Sequence, residues 1–337
     1  MSQPHLPKGS ILKLLIRALE GVLMTATGLW SMVAVYESNL PTSWVKTCAT
    51  VAYTLLLGTI AWRVRPWRKA RLLCLGAFAV VIAWFLVTPP SNNRDWQPDV
   101  AVLPYAEINR DQVTIHNIRN CEYRSETDYT VRHYDKSFDL TKLRSVDLYL
   151  VYWGSPLIAH TMMSFGFDGG DYVCFSIETR KEKGEAYSAI KGCFRQFELT
   201  YIIGDERDLV RLRTNFRGEQ VYLYRLNTDA ATARLVLLDY LRQVNRLKDR
   251  PEWYNALTSN CTTNIRGHTK PYSNNAPFDW RILVNGRVDE MAYERKVLDQ
   301  GLPFGELKRR SLVNGRAKEA DADPGFSARI REGLPGL

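Results

Sequence analysis

The chain has 337 residues, 45% of them hydrophobic, six cysteines and a net charge of +9. That length suits one good-sized domain plus a smaller element. The charge is unevenly placed: residues 1–90 hold nine Lys/Arg against Glu20 and Glu37, which is seven of the nine net charges. The rest is nearly neutral, which argues against a nucleic-acid partner.

Three apolar stretches follow a basic N-terminus, at 18–36, 44–62 and 72–88. Apart from Glu20 and Lys46 near their ends they are uncharged, and each approaches the ~20 residues that cross a bilayer core. Trp30, Trp44, Trp62, Trp67 and Trp84 stand near their ends or flanks, where amphipathic rings favour the headgroup layer. Residues 1–88 therefore read as a membrane domain with three transmembrane helices. The cluster Arg63 to Arg71 lies between the second and third spans, while the loop ESNLPTS after the first has no positive residue. Positive loops stay in the cytoplasm. The expected topology is a multi-pass protein of a bacterial cytoplasmic membrane, with a cytoplasmic N-terminus and everything after Thr88 in the periplasm.

Residues 89–103, rich in Pro, Asn and Ser, read as a linker. The expected external domain, 104–276, opens with strand-like runs at 112–118, 128–134 and 144–153, followed by the stretch carrying His160 and a strand at 172–179. Residues 185–194 look helical, 197–203 and 220–226 strand-like, and 205–214 a short charged helix. The best soluble helix spans 228–247, with Asp229 near its start and Pro251 as its stop. A short helix is expected from Cys261, broken by Gly267 and Pro271. Residues 277–337 read as a C-terminal extension, partly flexible, with one helix around 281–298. The fold class is α+β: three membrane helices, then an antiparallel sheet and a cysteine-bearing helix.

The stretch ALTSNCTTNIR, residues 256–266, carries the chemistry. Ser259 and Asn260 are cap-type residues, so Cys261 faces the unpaired N–H groups and positive end of a helix. Such a thiol has a lowered pKa and a reactive thiolate. Among five histidines, His160 alone lies in an apolar strand-like run. The hairpin around Asp168-Gly169-Gly170-Asp171 can pair in two registers, and a three-residue loop with a left-handed glycine segregates the apolar side chains cleanly. That register sets Thr161, Met163 and Phe165 on one face. On the other it pairs His160 with Glu178, Met162 with Ser176 and Ser164 with Cys174. The expected site is Cys261 as nucleophile, His160 as base and Glu178 as the carboxylate that orients the ring, with Ser176 or Thr179 as alternative orienters. Tyr254 could donate to an oxyanion beside the Cys261 amide. A buried, inert thiol is the alternative reading of Cys261. Cys121, Cys174 and Cys193 share the external compartment with it, which permits disulfides, and their pairing is left open. His116, His133 and His268 lack metal-ligand spacing, and neither a GxxxxGK[ST] loop nor a GxGxxG fingerprint is present. No metal and no cofactor are expected.

WGSPLIAHTMMSFGF, FSIETRKEKGEAYSA and YNALTSNCTTNI, in this order, resemble the Lnb N-terminal periplasmic domain family over about Asp99 to His268. The order His, acid, Asn-Cys is also similar to the circularly permuted NlpC/P60 branch of papain-like thiol enzymes, which implies a papain-like fold. The family resemblance implies N-acylation of lipoproteins with an acyl chain from a phospholipid or lipoprotein, the thioester on Cys261 and the base at His160. One departure is that the spans here precede the domain. The leading reading is a membrane-anchored thiol acyltransferase whose partner is a membrane lipid or lipoprotein substrate. The alternatives are a cysteine peptidase or amidase on cell-wall peptides and a non-enzymatic envelope assembly or binding module. The oligomeric state is not legible.

Overall fold

Apolar side chains dominate the first 87 residues, and in the computed structural model they lie on three long helices, α1 (Lys8–Tyr36), α2 (Ser43–Arg63) and α3 (Trp67–Val87). The structure describes residues 8–273 and 276–337. The expected cytoplasmic N-terminus, residues 1–7, and Asn274 and Asn275 of the expected external domain lie outside them. By internal contacts the chain divides into residues 1–90 with 194–196, and residues 91–193 with 197–337.

In the first unit, Ile11–Tyr36, Ser43–Arg63 and Trp67–Val87 are long and apolar enough to cross a membrane. α2 has no buried residue at all. A helix apolar all round and uncovered by protein is stable in hydrocarbon rather than in water. The helices start earlier than the apolar stretches do, because backbone hydrogen bonding continues through basic residues: α1 runs back past Arg17, and α3 begins straight after Pro66 and includes Arg68 to Arg71.

The second unit is built on a sheet. Its strands are β1 (Tyr105–Asn109), β2 (Gln112–Arg119), β3 (Glu122–Tyr123), β4 (Tyr129–Thr130), β5 (His133–Asp139) and β6 (Leu143–Tyr152), then β7 (Ala159–Phe167), β8 (Tyr172–Arg180), β9 (Glu198–Gly204) and β10 (Gln220–Arg225). Eight of them form one sheet in the order β1-β2-β9-β8-β7-β6-β10, with β5 on β2, while β3 and β4 form a separate pair. The β7–β8 hairpin has the expected register: Met162 pairs with Ser176, Met163 with Phe175, Ser164 with Cys174 and Phe165 with Val173. Gly169 and Gly170 take φ of 91° and 85° in its turn, a region that costs glycine little.

Successive strand residues face opposite sides, and each side of this sheet buries a core. One side holds Met163, Phe165, Phe175, Ile177 and Tyr201 against α6 (Ala230–Asp249), whose Val236, Leu237, Tyr240, Leu241 and Val244 are buried. Asp229 caps α6 by accepting from the Thr232 N–H. The other side holds Tyr149, Val151, Met162 and Ile202 against Leu209 and Val210 of α5 (Glu206–Arg211).

Several expected elements differ. Of 185–194 only α4 (Ala189–Cys193) is helical, and the 128–134 run splits between β4 and β5. α7 (Cys261–Thr269) passes through Gly267 unbroken. The expected linker is packed, with Trp96 and Val100 buried in the second core. The tail is not loose. The one helix foreseen around 281–298 is α8 (Val288–Glu294), and it is followed by α9 (Phe304–Arg310), α10 (Asn314–Glu319) and α11 (Phe326–Arg329). Val313, Ala317, Phe326, Ile330 and Leu334 of this segment are buried in the second core.

An ion-pair network fastens it. Arg331 lies 2.7 Å from Asp147 and 2.6 Å from Glu206. Glu206 also accepts from Ser164 and Tyr149. Both carboxylates are fully buried, so α5, read from sequence as a short charged helix, is an interior one. Removing one partner of a buried pair leaves a charge uncompensated, at about 3–5 kcal/mol. Arg331→Met is expected to destabilise the protein by about that amount in denaturant titration of the full chain. A midpoint equal to wild type would contradict this role.

Candidate active site

Cys261 is the first residue of α7, and Asn260 is the cap. The Asn260 side chain accepts from the Thr263 N–H at 2.9 Å, and the Thr263 hydroxyl accepts from the Asn260 N–H at 2.8 Å. This reciprocal box satisfies two of the donors that a helix start leaves unpaired. The N–H groups of Cys261 and Thr262 have no helical carbonyl partner. They lie at the positive end of the helix dipole, where the sulfur is carried.

The hairpin that carries His160 opens at this end, and the His160 ring interacts with the sulfur. Pairing between β7 and β8 ends at Met162 and Ser176, although the two strands continue to Ala159 and Arg180. Burial raises the Cys261 pKa, but the charge of His160, a hydrogen bond with its ring and hydrogen bonds from Thr161 outweigh it and bring the thiol down to about 6. The far ring nitrogen of His160, Nε2, is 2.7 Å from the Ser176 hydroxyl. Nδ1 is therefore the nitrogen available to the sulfur.

The expected acid is present with a correction. Glu178 does not hold the ring directly: its carboxylate is 3.9 Å from His160 Nε2. Ser176 stands between them and donates to Glu178 at 2.6 Å. Residues two apart on a strand share a face, which lines up Ser176 and Glu178 behind the imidazole. Arg213 donates to Glu178 at 2.7 Å from behind. Burial would raise the Glu178 pKa, but Arg213 first and then His160 hold it well below the usual carboxylate range. The relay runs His160, Ser176, Glu178, Arg213. Thr179, the other candidate orienter, makes no contact with His160 among those described.

Tyr254 is buried and close enough to interact with the Cys261 charge, but its hydroxyl is hydrogen-bonded to Tyr187. Burial pushes that hydroxyl well above the ordinary phenol range. His268, on the same helix as Cys261, has both nitrogens engaged, by Asp239 and Tyr201 at 2.7 Å each.

Sequence reasoning missed Asn285. Its Nδ2 donates to Thr262 Oγ1 at 2.7 Å and lies 3.9 Å from the Cys261 sulfur, and its Oδ1 accepts from the Ala159 N–H at 2.9 Å. One side chain thus ties the strand of His160 to the helix of Cys261. Gly286 lets the chain pass there, since a Cβ would sit 2.2 Å from the Pro156 carbonyl. The Asn-Gly pair was the available signal, but it lies in what reads as an extension. Thr161, Thr262 and Arg213 were also missed, and nothing local marks them.

Among the described residues all six cysteines are free. No group of three His, Cys, Asp or Glu side chains among them could hold a metal ion. Exposed large apolar side chains crowd the loops that enter the site: Leu157 and Ile158 before His160, Leu257 before Cys261, and Phe278, Trp280 and Leu283 before Asn285. A cavity of about 600 Å³ opens at the ends of β6 and β10, lined by Tyr152, Trp153, Arg217, Tyr222 and Lys308 among others.

A thiol at a capped helix start, with an imidazole beside it and a hydrogen-bonded carboxylate behind, makes this an α+β domain with a candidate thiol site. Residues 129–286 match the model of the Lnb N-terminal periplasmic domain family. The match includes His160, Ser176, Glu178, Arg213, Tyr254, Cys261 and Asn285. No curated protein and no solved structure matched the chain.

Proposed function

We propose that the protein is a membrane-anchored thiol acyltransferase acting on a lipid or lipoprotein at the periplasmic face of the cytoplasmic membrane. The observation that carries this reading is the Cys261 thiol, held near pKa 6 beside an imidazole whose far nitrogen is engaged. The same order of histidine, acid and helix-opening cysteine makes permuted NlpC/P60-type thiol enzymes the apt analogy. The three apolar helices and the apolar loops around the site favour a lipid substrate over a soluble one. In the topology proposed here, the basic loop at Arg63 to Arg71 is cytoplasmic.

The chemistry has two halves. The Cys261 thiolate attacks the carbonyl carbon of an acyl ester, and the oxyanion is received by the Cys261 and Thr262 N–H groups and Asn285 Nδ2. As the intermediate collapses, the bond to the alcohol oxygen breaks. The alkoxide takes the proton from His160 Nδ1, leaving the acyl group on sulfur. An amine then attacks the thioester while His160 takes its proton, and the amide leaves as the thiolate–imidazolium pair is restored. Ser176 and Glu178 hold the ring in one tautomer and support its positive charge.

The cavity beside β6, with Arg217, Glu219, Gln220 and Lys308 in its wall, supports a second reading, a cysteine peptidase or amidase in which water is the acceptor. Mass spectrometry of lipoprotein N-termini separates the two. Cells carrying Cys261→Ala are expected to lose the acyl modification that wild-type cells show, and unchanged N-termini would remove the acyltransferase reading.

A further inference from the structure

The helical unit contains a cavity that the chemistry of Cys261 does not use. It measures about 1,020 Å³ and is lined by all three helices, at the upper end of the ~300–1,000 Å³ typical of ligand pockets. Small residues open it. Gly21, Gly28, Gly58 and Ala61 are in its wall, and a Cβ added at Gly21 or Gly58 would meet nothing within 4 Å. Of its hydroxyl groups, that of Tyr53 is buried without a partner among the described residues, while the aliphatic ones are satisfied within their helices. Thr25, Ser31 and Thr54 return their hydrogen bonds to carbonyls of their own helices, so with Met24, Leu57 and Phe78 they make the long part of the wall largely apolar, with the Tyr53 hydroxyl as its one unpartnered polar group among those described.

One end is different. Arg17 and Glu20 of α1 and Arg68 and Arg71 of α3 line it together. Arg71 pairs with Glu20. Among the described residues no carboxylate pairs with Arg17 or Arg68, so this end keeps two positive charges beside an apolar slot.

We propose that this cavity binds an anionic phospholipid, its phosphate at Arg17 and Arg68 and an acyl chain between the helices. Basic pockets between membrane helices suit anionic headgroups. A zwitterionic lipid would bring its ammonium against the same arginines, since the one carboxylate there is already paired. A free phosphate would leave the apolar slot unfilled. This inference rests on the helices lying in a bilayer and not on the reading of Cys261.

The test uses the full-length protein in nanodiscs of equal dioleoylphosphatidylglycerol and dioleoylphosphatidylcholine, with retained lipids counted by native mass spectrometry after transfer to detergent. Wild type is expected to retain the glycerol lipid in excess of the bulk ratio, and Arg17→Gln with Arg68→Gln to lower that preference by about fivefold per arginine. Gly58→Leu, which fills the slot, is expected to lose the bound lipid with helicity by circular dichroism unchanged. Retention by wild type at the bulk ratio would overturn the proposal. So would an unaltered preference in the double arginine variant, or lipid retained at the wild-type level by Gly58→Leu.

Discussion

His160→Ala is expected to move the titration of Cys261 from about 6 to above the ordinary thiol value of 9.0. The sign follows from the opposing causes. Burial raises this thiol, and the imidazole is the main influence that lowers it, so removing the ring leaves burial largely unopposed. At pH 7 the thiolate fraction would fall from about nine-tenths to about one-hundredth or less. Iodoacetamide labelling of the Cys261 peptide across pH 5 to 10 reads this directly. Wild type is expected to reach half its maximal rate near pH 6, and the variant only above pH 9. Coincident profiles would mean that the imidazole does not act on the sulfur. A general base commonly contributes about 10²–10⁴-fold, so the acyl transfer proposed above should fall at least as far as the thiolate fraction does.

Asn285→Ala is expected to lower kcat by about 10²–10³-fold, the usual cost of removing one donor from an oxyanion site. The side chain also links the Ala159 N–H to Thr262, so a structural effect needs a separate readout. If the donor acts in the transition state, kcat and kcat/KM fall together while KM stays near its wild-type value. A change confined to KM, or a fall in kcat matched by loss of thermal stability, would assign Asn285 to scaffolding alone.

The geometry of the candidate site was legible where local rules govern it. The apolar segregation of residues 159–180 selected one hairpin register, and its two turn glycines take the positive φ that a three-residue loop allows. Asn260 before Cys261 announced a helix start because few other side chains can accept from the third N–H. Glu178 behind His160 was legible as proximity and wrong as contact. A strand pattern says which face a residue takes, but not that the ladder opens beyond Met162 and admits the Ser176 hydroxyl between acid and ring.

The remainder depends on long-range packing that no window of sequence contains. Asn285 meets Cys261 across 24 residues, and Arg213 meets Glu178 across 35. The tail read as flexible because its helices are short and punctuated by Gly and Pro. Its order comes from Phe326, Ile330 and Leu334 against the sheet, and from Arg331 between two interior carboxylates whose burial is itself a tertiary fact.

The most direct measurement is peptide mass spectrometry of the full-length protein after incubation with phospholipid vesicles lacking any amine acceptor. The expected result is an acyl adduct on the Cys261 peptide, released by neutral hydroxylamine and absent from Cys261→Ala and His160→Ala. An unmodified Cys261 in wild type, or an adduct undiminished in His160→Ala, would contradict a thiolate nucleophile raised by that imidazole.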